Sequence, residues 1–396
     1  MTHGRYWRGV YWLGLLVALS LLQGCARQEE EPVSSYKIGV VAPFSDEYAS
    51  LGERVRNGVL LAAEAWNGQG GILGDPIELV LRDSHCTFAG GRQAAQDAID
   101  EGVLFIIGAV CASASEGVAQ VASSEGVLQI SPASVNANLT LDGQGNPRPL
   151  VFRVPVIDPD QGTVAALYAL EQMGAKKAAM LYSEQGAYGW GLAGAFRAAF
   201  VAGGGEIVAS RAYDQNADSF FDGLAIVRDA APDVLYMPGY HSVVNTLVPQ
   251  ARQFGLMQPI LGSDGWDAPQ LDLAAVEGSV FTSHFYPYEA NPLVEAWNDL
   301  YQGRYMSQPD ALATLSYDAA NLLFSAIAEA GIGEPLIVAG MLERMSFEGV
   351  SGAWTYSETH NPQKSIIMLR VQNGQVVWQG RYAAPLVEAT SEAAVP

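Results

Sequence analysis

Residues 103–109 read VLFIIGA, a run with no polar position left to face water. A strand of this kind is buried on both faces, which calls for parallel neighbours with helices above and below. The rest of the chain supplies them. YKIGVVAP at 36–43 and PIELVLRDS at 76–84 are further short strands, and between them Val55, Val59, Leu60, Ala62, Ala63 and Trp66 recur at helical spacing before glycines stop the helix. Strand, turn and helix keep alternating, so the expectation is α/β with parallel strands and right-handed crossovers. The series occurs twice, over about 36–155 and 156–282; helical segments at 291–304 and 310–330 follow, and an antiparallel pair turned at Asn373-Gly374 closes the chain.

Ahead of the first strand the chemistry differs. Arg5 and Arg8 precede an almost wholly apolar run at 10–22, shorter than the ~20 residues a bilayer-spanning helix needs. Leu22-Gln23-Gly24-Cys25 then places a small residue before a thiol. The pattern is a secretory signal and resembles the lipobox of bacterial lipoproteins, in which the cysteine is acylated; an ordinary signal peptide with a chance cysteine is the alternative. On this reading 1–24 is a lipoprotein signal peptide, Cys25 carries lipid, 25–35 is a polar tether, and 385–396 is a flexible tail. The expected location is periplasmic, with the membrane reached through the lipid anchor alone, since no later segment reads as a spanning helix.

With 42 acids against 21 bases, the formal charge of −21 excludes a nucleic-acid partner, because nothing would neutralise phosphates. Cys86 and Cys111 each lie just past a strand. Parallel strands leave a sheet on one edge ~4.8 Å apart, so a disulfide is permitted if the two strands are near neighbours; two buried free thiols are the alternative. The five histidines are scattered. No metal and no cofactor is expected, and no P-loop, H-E-x-x-H, G-x-S-x-G or dinucleotide fingerprint points to an enzyme.

Ligands of open α/β sheets sit beyond the carboxyl ends of the strands. That rule selects the loops 43–52, 84–90, 109–115 and 131–136 in the first half, and 183–190, 213–218, 238–242 and 262–267 in the second. They hold few cations, the aromatics Phe44, Tyr48, Tyr188, Trp190, Tyr240 and Trp266, and the acid Asp264, which suits a small solute held by hydrogen bonds and ring faces. Ser113 and Glu116 have capping-box spacing, and the helix they would open aims free N–H groups at the same cleft.

The stretch IGVVAPFSDEYASLGERVRNGVLLAAEAWNGQGGILGDPIELVLRDSHC, with FIIGAVCASAS, ISPAS, QGAYGWGLA, MPGYHS and ILGSDGW, resembles the branched-chain amino acid (Leu/Ile/Val)-binding family of type I periplasmic solute-binding proteins. The resemblance implies two Rossmann-like lobes joined by a three-crossing hinge, with lobe 1 at 36–155 plus 283–343 and lobe 2 at 156–282 plus 344–384. It implies the Cys86–Cys111 disulfide, cleft tyrosines at Tyr188 and Tyr240, an ammonium-binding acid at Asp264 and an ammonium-binding carbonyl at Ala133. Ala112 stands where a carboxylate-binding hydroxyl is expected, Val135 where a threonine is, Leu51 where an aromatic is often found, and Asp46 replaces a glycine. Ser113 and Ser134 are candidate substitutes for the missing hydroxyls, and Trp266 completes the expected binding set. The implied function is the extracytoplasmic receptor of an ABC importer, a monomer that captures a small polar solute, an amino acid or related amine or amide, and delivers it to permease subunits. A ligand-sensing regulator or scaffold of the same fold is the alternative.

Overall fold

The computed structural model describes Met1, 35–185 and 187–385. It divides into two units, Met1–Ser35 and Tyr36–Pro396, and the second contains both lobes. Apart from Met1, the expected signal peptide at 1–24 lies outside the described residues, as do Cys25 and nearly all of the expected tether and tail.

In the first lobe, β1 (Tyr36–Ala42), β2 (Ile77–Asp83), β3 (Phe105–Gly108), β4 (Leu128–Ser131) and β5 (Val151–Arg153) alternate with α1 (Ala49–Asn67), α2 (Phe88–Asp100) and α3 (Ala112–Glu125). The sheet is parallel throughout in the order β2-β1-β3-β4-β5. In the second lobe, α4 (Asp158–Glu171), β6 (Lys177–Ser183), α5 (Ala187–Ala202), β7 (Glu206–Tyr213), α6 (Phe221–Asp229), β8 (Val234–Tyr236), α7 (His241–Gln253), β9 (Ile260–Gly262) and β10 (Val280–Ser283) repeat the pattern. The chain returns to the first lobe for α8 (Pro292–Tyr305), α9 (Ala311–Ala330), α10 (Pro335–Leu342) and a small sheet of β11 (Phe347–Gly349), β12 (Gly352–Tyr356) and β13 (Pro362–Gln363). It ends in β14 (Ile366–Gln372) and β15 (Gln375–Tyr382), which extend the second sheet to β15-β14-β10-β9-β8-β6-β7. The last two strands are antiparallel and turn at Asn373 and Gly374, both with left-handed φ (54° and 69°), as a two-residue hairpin that matches strand twist requires.

Pleating decides the layers. Ile38, Val40, Phe105 and Ile107 face α1 and α9, while Val41 and Ile106 face Ala94, Ala98, Val118 and Ala122 of α2 and α3. In the second lobe Ala178, Met180, Val234 and Tyr236 face α4 and α5, and Ala179, Leu181 and Leu235 face α6 and α7. Each central strand is therefore apolar on both sides, as VLFIIGA demands. Helix α9 corrects one expectation: by length and composition it could cross a membrane, yet it is largely buried, with Leu315, Leu322, Leu323, Phe324 and Ile327 in the first core.

The lobes are joined by three crossings. Val154 packs in the first core and Val156 in the second, and Ser283 ends β10 just before Phe285 joins the first-lobe cluster of Leu61 and Trp297. The third crossing falls between Tyr356 and Ile366 rather than at 343/344, because Met345, Trp354 and Tyr356 pack in the first core. A polar brace ties the crossings. Lys364 Nζ donates to the Val154 carbonyl (3.2 Å) and to Ser351 Oγ (2.7 Å). Buried Asp318 accepts from the Val350 and Ser351 N–H groups (2.8 Å each) and from the Ser351 hydroxyl. Tyr356 donates to the Arg153 carbonyl, and Arg381 joins Glu289 to the Ser351 carbonyl.

Cys86 and Cys111 form a disulfide with Cα atoms 5.3 Å apart. Their strands, β2 and β3, flank β1 instead of adjoining. The loops meet over the end of β1, where His85 and Cys86 take left-handed φ (46° and 56°) to turn the chain back.

Candidate functional site

The strand tips of the two lobes face each other across a cavity of about 580 Å³. The first lobe contributes Glu47, Tyr48, Leu51, Arg54, Ala133 and the start of α9 from Asp310; the second contributes Tyr240, Asp264, Gly265, Asp267 and His284. Asp310 caps α9 by accepting from the Ala313 N–H (2.9 Å) and pairs with Arg54 (3.0 Å), so the Arg54 guanidinium at the cavity is already matched.

Asp264 is the most constrained group. Its Oδ1 accepts from the Tyr188 hydroxyl (2.5 Å), and its Oδ2 lies 3.0 Å from His284 Nε2. Burial pushes the carboxyl up, but the His284 hydrogen bond and charge together with the Tyr188 hydroxyl outweigh it, and the group is held below its ordinary value. It is an anion fixed in place by two neighbours. A carboxylate has about four acceptor positions; Tyr188 and His284 take two of them, and the Gln161 side chain also helps hold the carboxyl low. The Tyr188 hydroxyl also meets Ser263 Oγ and accepts from the Gly265 N–H, both at 2.9 Å. Glycine is needed at 265, since a Cβ there would sit 2.5 Å from the Gly239 carbonyl and 2.9 Å from that hydroxyl. Tyr188 stacks on Tyr240 (4.8 Å, 19°), and Tyr240 remains half exposed in the cleft. Burial and then the Asp264 charge raise the pKa of Tyr188, and raise that of Tyr240 to about 12, so both rings act as neutral hydroxyls and apolar faces.

Tyr240 also walls a second chamber of about 370 Å³, into which Ala112, Val135, Tyr188 and Asp158 face. The expected residues thus divide. Ala133, Tyr240 and Asp264 line the main cavity, and Ala112, Tyr188 and Tyr240 the second chamber. Ser113 is exposed, with Oγ donating to the Cys86 carbonyl (3.1 Å). Two residues turn away. Ser134 is buried with its hydroxyl on Ser115 Oγ (2.6 Å), and Trp266 is fully buried against Phe281 with its N–H donated to the Met237 carbonyl. The indole leaves no face for a ligand and belongs to the second core. The capping box does not form either: Cys111 is the N-cap of α3 without a side-chain bond, and Glu116 pairs with Arg148. Among the described residues no side chain caps the first turn of α3.

Sequence reasoning missed His284, Asp158 and Asp267. His284 follows β10, to which the carboxyl-end rule also applies. Asp158 opens α4 ahead of Pro159, where an acid suits the helix dipole. Asp267 accepts from the Ser283 hydroxyl, and poor solvation between the lobes pushes its carboxyl up to about 6. Among the described residues no group of His, Cys, Asp and Glu could hold a metal ion.

Residues 35–375 match a family model described as periplasmic binding protein. A Leu/Ile/Val-binding protein of Rhizobium johnstonii is 28% identical over 86% of this chain and 92% of its own length. Among solved structures, a leucine-binding protein of Thermotoga maritima is 33% identical with a TM-score of 0.76, over 88% of this chain and 99% of that one. A branched-chain amino acid transporter substrate-binding protein of Streptococcus pneumoniae, solved with isoleucine, is 27% identical with a TM-score of 0.77, over 88% and 100%.

Proposed function

The chain belongs to the periplasmic binding protein family, and on that premise we propose that it is the extracytoplasmic solute receptor of an ABC importer. The single observation that carries the reading is the cleft itself: an ionised, doubly held Asp264 beside a tyrosine stack, opposite a first-lobe wall that includes Ala133. An ammonium fits between that anion and that wall, and ring faces take the carbon skeleton. Relatives described as Leu/Ile/Val-binding proteins support an amino acid or a related amine or amide as the solute. The hinge closes the second lobe over a solute docked on the first, driven by contacts made only in the closed form. Delivery to permease subunits follows from this role, with the receptor a monomer on a lipid at Cys25.

Asp264→Asn tests the reading. A hydrogen bond to a charged group contributes about 1.5–3 kcal/mol, so titration calorimetry is expected to show affinity for an amine-bearing solute lowered roughly ten- to 150-fold. An unchanged dissociation constant removes Asp264 from the binding role.

A further inference from the structure

The second chamber has unmet hydrogen-bonding capacity. Asp158 lines it and is only 4% exposed, yet its carboxyl makes no hydrogen bond within the described residues and Oδ1 is buried and unpartnered. The Tyr213 hydroxyl, on another wall, is in the same condition at 8% exposure. Buried polar groups left without partners are costly and uncommon in native structures. Gln185, on the same wall, is turned to Asp214 through Nε2 and to the Gln215 N–H through Oε1. Ala112 brings the open first turn of α3 to the chamber; the first helical N–H with a partner there is that of Ser115, on the Cys111 carbonyl. No lysine or arginine lines the chamber among the described residues.

These walls need a guest that accepts on one side and donates on the other. A carboxylate accepts from the helix and could take the proton of a neutral Asp158, but it leaves the remaining acceptor positions of Asp158 and Tyr213 without a donor. An ammonium donates but cannot accept, and an alkyl group does neither. A primary carboxamide does both. We propose that the chamber is a subsite for a neutral carboxamide of the solute, its oxygen on the first turn of α3 and its amide hydrogens on Asp158 and Tyr213. The assignment rests on the receptor reading and narrows its substrate class.

The electrostatics agree. Burial, then the charge of Asp264, push the Asp158 carboxyl up to about 9, with Arg153 pulling the other way, and neighbouring Asp160 is itself raised to about 6 by burial. At neutral pH Asp158 is therefore an uncharged donor and acceptor, complementary to an amide, and a cation would first have to displace its proton.

Calorimetry of the full mature chain at pH 7 with L-leucinamide against L-leucine, and L-glutamine against L-glutamate, reads the preference. In both pairs the amide is expected to bind at least about tenfold tighter than the acid, and Tyr213→Phe and Asp158→Leu should each shrink that ratio to below about threefold. Should Asp158→Leu fail to fold, Tyr213→Phe, which removes only an unpartnered hydroxyl, decides alone. Equal or tighter binding of either acid overturns the subsite and leaves the receptor reading intact. So does a ratio that neither variant moves, or tight binding of a solute without a carboxamide in a parallel thermal-shift screen of amino acids, amines, amides and nucleosides. If no compound in that screen binds, the receptor reading itself fails.

Discussion

Asp318→Ala destabilises the folded chain by about 3–5 kcal/mol, the cost of removing one partner from a buried ionic network. The carboxyl it deletes takes the Val350 and Ser351 N–H groups and the Ser351 hydroxyl, and Ser351 in turn holds Lys364. Truncation leaves two backbone donors and the Ser351 hydroxyl buried without their acceptor, and the Lys364 ammonium without its counter-charge. The deficit also has a pH sign. Burial brings the folded Lys364 down to about 7 from 10.5, with Asp318 holding it up. Without Asp318 the ammonium surrenders its proton at a lower pH, so below about 7 the folded variant binds fewer protons than the folded wild type, and its deficit grows as pH falls. Urea unfolding of both chains at pH 5.5 and 8 checks this; equal midpoints, or a deficit that widens toward alkaline pH, contradict it. Because Lys364 also holds the Val154 carbonyl, the variant should loosen the first crossing against the third.

Replacing Cys86 and Cys111 together by serine costs about 3–4 kcal/mol in the chain-entropy account, given 25 residues of separation between them. The native turn through His85 and Cys86 is left-handed and has the bond to hold it. Reductant should lower the urea midpoint of the wild-type chain to that of the double variant and leave the variant unchanged. A wild-type midpoint indifferent to reductant rules out a stabilising bond. The loop also accepts the Ser113 hydroxyl beside the open end of α3, so its release should be felt at the cleft.

The alternation of apolar strands and amphipathic helices was enough to read the parallel strands of both sheets, because burial on two faces is a local signal in strands such as Phe105–Gly108. The closing hairpin was legible from Asn373-Gly374, whose two left-handed positions few other residue pairs accept. The carboxyl-end rule found most of the cleft loops for the same reason: it needs only strand direction. What escaped depended on tertiary meeting. His284 acquires its role by reaching Asp264, which Tyr188 approaches from a third segment. Trp266 looked like a cleft aromatic, yet its ring fills the space beside Gly262, where a Cβ would lie 2.4 Å from the indole. The Ser113–Glu116 spacing suggested a cap at Ser113, but α3 begins two residues earlier, with the disulfide-bound Cys111 as its N-cap, and Arg148 claims Glu116. The third crossing was misplaced because Trp354 and Tyr356 return to the first core after the chain has left α10, and Tyr356 packs edge-on against Phe152.

A solute receptor of this kind works only if its two hinged lobes close on one small molecule. Small-angle X-ray scattering of the mature chain, alone and with a solute that calorimetry shows to be bound, measures that closure directly. The expected result is a smaller radius of gyration in the bound sample; an identical scattering profile at saturation contradicts closure.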